Sequence, residues 1–178
     1  FDKFLNEFQK KGYFIKWKLL KASDFGSPTQ RSRIFVIGFK SEVLCKNFYF
    51  PEPTHFSEDD TDLFSGSNTK NKYNYISDVL SDIPDVNTPE SKKILNHEGR
   101  QHKPETVEHL KTVPQGKSVK KSYRYRAPWH GLCRSLTAGT DDSTKAYIHP
   151  IYHREMSVRE YARIHGFPDD WFFHGNLH

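Results

Sequence analysis

A continuous apolar run at residues 33–39, RIFVIGF, most constrains what this chain can fold into. Its β-branched and aromatic residues follow one another without alternation, which predicts a strand covered on both faces. Arg31 and Arg33 stand at the start of this run. Taken alone, the two side chains are best interpreted as strand-end charges held by acids. The alternative is that they bind a negatively charged ligand.

The segment before this run predicts a helix followed by a strand. In residues 1–12, FDKFLNEFQKKG, the apolar side chains recur at i, i+3, i+4 and i+7, which indicates one face of a helix. Residues 13–19 alternate apolar residues with lysines, a pattern typical of a half-buried strand. The connection at 21–32 contains Gly26 and Pro28, so we expect a fixed turn there.

From residue 41 the periodicity weakens and Pro, Ser, Asn, Asp and Gly become frequent. Short helices are predicted at 76–83 and 104–113, because apolar residues recur there at helical spacing. A final helix is predicted after the capping box of Ser157 and Glu160. The chain should therefore contain both helices and strands, with its least regular part in the middle.

Composition narrows the class of protein. The net charge of +5 and the isoelectric point near 9.1 are compatible with a nucleic-acid partner. Cys45 and Cys133 form no Cys-x-x-Cys pair, which favours a reducing, intracellular setting. No apolar run approaches the roughly 18 residues that a membrane-spanning helix needs, and no signal peptide is recognisable. Because the chain starts at Phe1 inside a helical pattern, we expect a fragment of a longer protein.

Three blocks occur in an order that carries a family resemblance. They are FGSPTQRSRIFVIG, RSLTAG and IHPIYHREMSVREYARIHGFPDDWFF. In order and wording they resemble the C-terminal part of the DNA cytosine-5 methyltransferases. The first is similar to the family's Gln-x-Arg-x-Arg motif, the second to the motif that closes the target recognition domain, and the third to the helix that follows it. Residues 41–125 match only in scattered places, such as FPEPTH.

The resemblance implies an α+β chain. It would comprise the edge of an α/β methyltransferase catalytic domain and a small irregular target recognition domain. Residues 1–40 would be the C-terminal edge of the catalytic domain, with a helix and two strands. Residues 41–140 would be the target recognition domain, and residues 141–178 a return segment and helix toward the catalytic domain.

In this family the paired arginines lie beside an extruded cytosine and the DNA backbone. The resemblance therefore implies that Arg31 and Arg33 support a flipped cytosine, with Arg33 nearer the base. Thr29 and Gln30 would contact DNA next to them. The family usually has glutamine where this chain has Thr29, so the contact at that position should differ.

A basic run at 111–126 is a second implied contact with DNA. It holds six Lys or Arg residues and no acid. The members expected to contact DNA are Lys117, Lys120, Lys121, Arg124 and Arg126. An exposed, solvated loop is the alternative interpretation of such a run. In RSLTAG, Arg134 and Thr137 match a family element whose part is largely to orient the recognition domain.

The residues that perform the family's reaction are missing from this sequence. Neither cysteine follows a proline as the family's nucleophile does, no Glu-Asn-Val run occurs, and no glycine-rich strand-to-helix turn exists to hold S-adenosylmethionine. We therefore expect the DNA-recognition fragment of a DNA (cytosine-5-)-methyltransferase. The full enzyme would transfer a methyl group from S-adenosylmethionine to carbon 5 of a flipped cytosine. The fragment alone would be inactive and bind no cofactor.

The implied partners are double-stranded DNA and the catalytic half of the enzyme, in the same chain or as a separate subunit. No membrane is implied. The setting would be the bacterial cytoplasm at the nucleoid, commonly within a restriction–modification system. The alternative is a non-catalytic subunit or remnant that binds DNA or a protein. A zinc site of His149, His153 and Cys133 is not favoured, because Pro150 prevents a helix from placing both histidines on one face.

Overall fold

The computed structural model describes residues 1–57, 71–118, 124–135 and 146–175. The α-helices are α1 (Asp2–Lys10), α2 (Glu42–Asn47), α3 (Ile76–Leu80), α4 (Pro104–Lys111) and α5 (Val158–Ile164). The strands are β1 (Phe14–Lys21), β2 (Ser32–Phe39), β3 (His55–Phe56), β4 (Asn71–Lys72), β5 (Tyr125–Arg126) and β6 (Tyr147–Ile148). Short 3-10 turns occur at Ala22–Phe25 and Glu90–Lys93.

β1 and β2 form an antiparallel two-stranded ribbon. Phe14 pairs with Phe39 at one end and Lys21 with Ser32 at the other, so both strands are paired along their whole length. Both strands and the preceding helix α1 occur where the sequence predicts them. The turn that joins the strands therefore lies at the Lys21 end of the ribbon.

The apolar run of β2 is not covered on both faces, which corrects the sequence prediction. Ile34 is 52% exposed and Phe35 is 49% exposed. Because successive strand residues face opposite sides, these two values show that both faces of β2 are open. On β1, Trp17 and Leu19 are 50% and 59% exposed. The physical reason is that the ribbon has two strands, and α1 and α2, which contact it, leave much of both faces open. Contiguous apolar surface of this kind is typical of a face that another protein segment covers.

Much of the chain after the ribbon packs around an apolar core of its own. We call this part the lobe, which comprises the described residues 71–118, 124–135 and 146–175. Its core residues are Ile76, Leu80, Ile83, Tyr125, Ala127, Cys133, Tyr147, Met156 and Ile164. The short parallel pair of β5 and β6 places Tyr125 beside Tyr147 within this core. Helices α3 and α5 contact each other.

Helix α5 begins at the predicted capping box. Ser157 Oγ accepts the N–H of Glu160 at 3.2 Å, and Glu160 Oε2 accepts the N–H of Ser157 at 2.8 Å. The buried Glu160 also accepts two hydrogen bonds from Arg154, at 2.9 and 2.8 Å. Burial raises the pKa of Glu160, but the hydrogen bonds and charge of Arg154 outweigh it and hold this pKa below its usual value. The capped end of α5 is therefore fixed by an internal ion pair.

The two predicted middle helices are present but shorter than predicted. α3 ends at Leu80, because the chain turns there before Ile83 enters the core. α4 starts at Pro104, in the first turn as expected, and ends at Lys111. None of the described helices has the length and apolar character that crossing a membrane requires.

Candidate nucleic-acid interface

Arg31 and Arg33 lie where the loop after β1 becomes β2. The carbonyl of Arg31 accepts the N–H of Ala22 at 2.7 Å, which closes the loop. Arg33 is exposed, and its Nη1 donates to the Ser32 carbonyl at 2.8 Å. Among the described residues, neither guanidinium forms an ion pair with a carboxylate. No acid in the described part of the chain therefore neutralises the two arginines, and there both retain N–H donors for an external anion.

The start of the arginine loop (residues 26–31) is fixed by contacts from elsewhere in the chain. Gly26 has φ +88, which favours glycine, and a Cβ at this position would lie 2.9 Å from Cε1 of His55, so the ring would have to move for a larger residue. Asn74 Nδ2 donates to the carbonyl of Gly26 at 2.8 Å, and the Tyr73 hydroxyl donates to Asp24 Oδ1 at 2.6 Å. Tyr73 and Asn74 were not predicted from the sequence, because no local pattern indicates contacts with residues so far away in the chain.

Cys133 ties the arginine loop to the lobe through its backbone. Its N–H donates to the Pro28 carbonyl at 2.7 Å, and its carbonyl accepts the N–H of Gln30 at 2.8 Å. The block that contains the arginines and the block that begins at Arg134 are thus hydrogen-bonded neighbours. Thr29 lies between these two bonds.

The structure buries Thr29, which disfavours the expected direct contact with DNA. Its side chain is buried, since only 1% of the residue is exposed, and its hydroxyl lies 2.8 Å from that of Ser27. Its hydroxyl therefore faces the interior of the protein and not the surface. Gln30 is exposed and remains a candidate contact.

Arg134 is exposed and held by two described groups. Its guanidinium lies over the ring of Tyr125, 4.2 Å from the centroid, and Nη1 donates to Ser118 Oγ at 3.2 Å. Because Arg134 follows Cys133, this cation is adjacent in the chain to the bridge that holds the arginine loop. Stacking on Tyr125 orients the plane of the guanidinium, which favours recognition of a planar or phosphate group.

The basic run divides into residues with different surroundings. Lys117 is exposed, and its carbonyl accepts the N–H of Arg126 at 3.0 Å. Arg124 lies 3.3 Å from a carboxylate oxygen of Glu155, and its side chain is only 17% exposed. Lys117 is therefore a surface cation, whereas Arg124 is engaged within the protein. Three further candidates lie outside the described residues, namely Lys120, Lys121 and Thr137.

Arg126, which the sequence analysis proposed as a DNA contact, points into the lobe, and this placement disfavours a direct contact with DNA. The residue is 3% exposed. Its guanidinium donates to backbone carbonyls, and the bonds of 2.7 Å or less go to those of Leu110, Val113 and His149. Burial lowers the pKa of Arg126. The charge pattern could not separate it from its neighbours, because a strand residue next to surface lysines can face inward.

The residues considered for zinc have other contacts. His149 Nδ1 accepts the N–H groups of Ile151 and Tyr152, both at 3.1 Å. His153 Nδ1 lies 3.3 Å from Nη2 of Arg126. Burial raises the pKa of the Cys133 thiol to about 12, which disfavours a thiolate ligand. Within the described ranges, no three His, Cys, Asp or Glu side chains are grouped so that they could hold a metal ion.

The described residues do not fit S-adenosylmethionine. A cofactor cradle of this kind needs a glycine-rich turn from a strand into a helix. In this chain β2 leads into α2 through Lys40 and Ser41, and neither is glycine. We therefore assign no step of a reaction through the cofactor to this chain.

Comparison with known proteins gives a family match over the whole chain. The family described as C-5 cytosine-specific DNA methylase matches residues 1–178. The Type II methyltransferase M1.HphI of Haemophilus parahaemolyticus is 32% identical over 185 residues, covering 95% of this chain and 43% of that protein. M.MthTI of Methanothermobacter thermautotrophicus is 28% identical over 190 residues, covering 98% and 52%. The chain thus spans about half the length of the curated relatives it matches.

A solved structure supports the fold. The chain matches a crystal structure assigned to a DNA modification methyltransferase encoded within a prophage (E. coli), with a TM-score of 0.65 and 22% identity. The match covers 94% of this chain and 54% of that one. The mixed helix and strand architecture is therefore shared with a solved protein along almost the whole chain.

Proposed function

This chain belongs to the family of C-5 cytosine-specific DNA methylases, and we propose that it is the target-recognition portion of a DNA (cytosine-5-)-methyltransferase. The complete enzyme would transfer a methyl group from S-adenosylmethionine to carbon 5 of a flipped cytosine in duplex DNA. Residues 1–40 would be the edge of its catalytic domain, residues 41–140 the recognition domain, and residues 141–178 the return to the catalytic domain. The site of action would be DNA in the cytoplasm.

The observation that carries this proposal is the state of Arg31 and Arg33. Arg31 ends the arginine loop, which is fixed at its start and near its end, and Arg33 is the second residue of β2. Neither has a carboxylate partner among the described residues. A flipped cytosine offers its ring oxygen as an acceptor, and a phosphate lies close to it in the strand. Guanidinium groups match both acceptors with charge-assisted hydrogen bonds. Arg33, the more exposed of the two, would bind the base, and Arg31 would support it or the strand.

The exposed apolar ribbon supports a catalytic half as the protein partner. Trp17 and Leu19 on β1, and Ile34 and Phe35 on β2, are each about half exposed. Covering such side chains would remove apolar area from water at a gain of about 25 cal/mol per Å². A catalytic domain that continues the ribbon into a larger sheet would provide this cover and place the cofactor beside the arginine loop.

The cysteines of the chain support a nucleophile supplied from elsewhere. The family's reaction needs a cysteine thiolate that attacks the cytosine ring. Both Cys45 and Cys133 are buried. Burial raises the pKa of Cys133 to about 12, so its thiol stays protonated near neutral pH. In the proposed enzyme this chain binds and orients DNA, and the catalytic half performs the covalent chemistry.

Methyl transfer measured with three preparations tests the proposal. They are this chain alone, the catalytic half alone, and the complete enzyme, each with duplex DNA and labelled S-adenosylmethionine. We expect label on carbon 5 of cytosine only with the complete enzyme. Turnover by this chain alone would overturn the assignment as a recognition portion. A complete protein that binds DNA without transferring methyl groups would instead identify a non-catalytic binding subunit.

A further inference from the structure

Tyr73 and Asn74 form a hydrogen-bonded link between the lobe and the arginine loop. The Tyr73 hydroxyl donates to Asp24 Oδ1 at 2.6 Å, and Asn74 Nδ2 donates to the Gly26 carbonyl at 2.8 Å. These contacts join residues that are 49 and 48 positions apart in the chain. We call this pair of residues the Tyr73–Asn74 link. It attaches to the chain directly before the residues that lead to Arg31.

The conformation of the arginine loop depends on the orientation of the Gly26 carbonyl. Gly26 has φ +88 and no side chain, so its own preferences define the following peptide plane only weakly. The Asn74 amide fixes that plane by holding the carbonyl oxygen. The far end of the loop is held where the Arg31 carbonyl accepts the N–H of Ala22. Between these ends the loop is also held at Pro28 and Gln30 by Cys133, so a rotation at Gly26 would strain these bonds and shift the backbone that leads to Arg31.

The residues directly after the link form hydrogen bonds with the segment that leads to Arg134. The N–H of Ile76 donates to the Gly131 carbonyl at 3.2 Å, and the N–H of Ser77 donates to the Trp129 carbonyl at 3.0 Å. The chain then runs from Gly131 to Cys133, which pairs with the arginine loop. One short segment, residues 73–77, thus anchors both the arginine loop, which leads into β2 and Arg33, and the segment that leads to Arg134.

We propose that Tyr73 and Asn74 are positioning residues for the DNA-binding arginines, with Asn74 acting through the Gly26 carbonyl and Tyr73 through Asp24. This inference rests on the proposed function, since it assigns a role within the same site. Both side chains are half-buried and lie outside the apolar core clusters. Removing one hydrogen bond at this place should therefore alter the geometry of the loop more than the folding of the lobe. A reacting group misplaced by about 1 Å can reduce a rate by roughly 100-fold.

The test uses the complete methyltransferase and measures kcat, KM for duplex DNA and the thermal unfolding midpoint. Asn74→Asp keeps the shape of the side chain and replaces the donor by an acceptor that faces the Gly26 carbonyl. Asn74→Ala removes the amide, and Tyr73→Phe removes only the hydroxyl. Asn71→Asp is the matched control, because Asn71 is exposed on β4, three residues before Asn74. Arg33→Ala provides the reference for loss of an arginine itself.

We expect both Asn74 variants to lower kcat by roughly 10-fold to 100-fold. KM for DNA should change by less than about twofold, because the transition-state geometry is lost and ground-state binding is not. Tyr73→Phe should show the same pattern with a smaller loss. Asn71→Asp should behave as the unmodified enzyme, and all variants should keep its unfolding midpoint.

Two results would overturn the inference while leaving the proposed function intact. One is unchanged kcat in the Asn74 and Tyr73 variants when Arg33→Ala abolishes methyl transfer. The other is a fall of the unfolding midpoint together with weaker DNA binding, which would make the link a structural contact. If the unmodified complete protein bound DNA and transferred no methyl group, the proposed function would fail, and this outcome is distinguishable from both.

Discussion

Thr29 and Cys133 pair as an isolated parallel bridge, although they lie far apart in the chain. The backbone bonds of this bridge flank Thr29, at 2.7 Å to Pro28 and 2.8 Å from Gln30. As a result, two motifs that a variable region separates in the sequence meet in the structure. The arginine loop and the segment that carries Arg134 should move together, since two backbone hydrogen bonds couple them.

Replacing Arg33 should remove the proposed contact with the base. In the complete enzyme we expect Arg33→Ala to lower kcat/KM by roughly 100-fold or more, as loss of a preorganised donor does. Arg33→Lys should recover only part of this loss, because lysine keeps the charge but not the planar fork. Steady-state methylation of a duplex substrate checks both variants.

Lys93→Ala is the control for this experiment, because it removes an exposed cation from a 3-10 turn of the lobe. It should leave kcat/KM unchanged. Equal activity of Arg33→Ala and the unmodified enzyme would show that the arginine loop does not contact the reacting base.

Local order was predictable here where the sequence carries its own signal. The helical spacing of Phe1, Phe4 and Phe8 and the capping box at Ser157 are local patterns, and α1 and α5 form where these patterns indicate. The candidate site depends on contacts between distant residues. Nothing near Asn74 in the sequence points to Gly26, so the link could not be predicted.

The pattern of charges in the sequence did not distinguish surface cations from buried ones. Arg126 is buried and Lys117 is exposed, so their replacements should affect stability differently. Arg126→Met should destabilise the fold by about 3 kcal/mol or more, because several buried carbonyls would lose their donor. Lys117→Ala should leave the free energy of unfolding within about 0.5 kcal/mol, since Lys117 is exposed. Urea unfolding of both variants measures these changes.

For DNA binding we expect the reverse order: replacing Lys117 should have the larger effect and replacing Arg126 the smaller one. Titrations at several salt concentrations should give Lys117→Ala a salt slope shallower by about one unit, as expected when one phosphate contact is lost. A folded Arg126 variant should keep the original slope. If Arg126→Met changed only the slope and not the stability, the guanidinium would have to reach DNA in solution.

The stability of the lobe should depend on pH through His149. Burial lowers the pKa of His149 to about 4. An unfolded chain takes up this proton near pH 6.5, so between these values protonation favours the unfolded state. Stability should therefore fall as the pH drops through this window, by about 3 kcal/mol at pH 4 from this group. Above pH 6.5 the group contributes no pH dependence.

His149→Asn tests this prediction, because the amide oxygen can replace Nδ1 as the acceptor for Ile151 and Tyr152. The variant should show a shallower loss of stability in urea unfolding between pH 7 and pH 4. Identical pH profiles for the unmodified chain and His149→Asn would mean that His149 takes up its proton over the same pH range in the folded lobe as in the unfolded chain.

The ribbon shows why burial was harder to predict than strand position. The composition of β2 correctly indicates a strand that is suited to cover on both faces, but the described elements of this chain do not supply that cover. A sequence pattern reports what a strand needs and does not say which polypeptide segment provides it. Because β2 has the composition of a covered strand but is exposed here, we expect another polypeptide segment to cover the ribbon.

Changing the exposed face of the ribbon should affect the isolated chain and the complete enzyme differently. Leu19 and Ile34 are directly paired across β1 and β2, and they are 59% and 52% exposed. In the isolated chain, Leu19→Glu combined with Ile34→Glu should reduce self-association, because the exposed apolar area decreases. In the complete enzyme the same change would bury two carboxylates, which should lower the unfolding midpoint and prevent assembly.

Light scattering of the chain and thermal unfolding of the enzyme measure the two effects, with Ile151→Glu on the lobe as an exposed apolar control. If the double variant left the complete enzyme as stable as the control did, this face would remain in solvent, and the catalytic half would have to dock elsewhere.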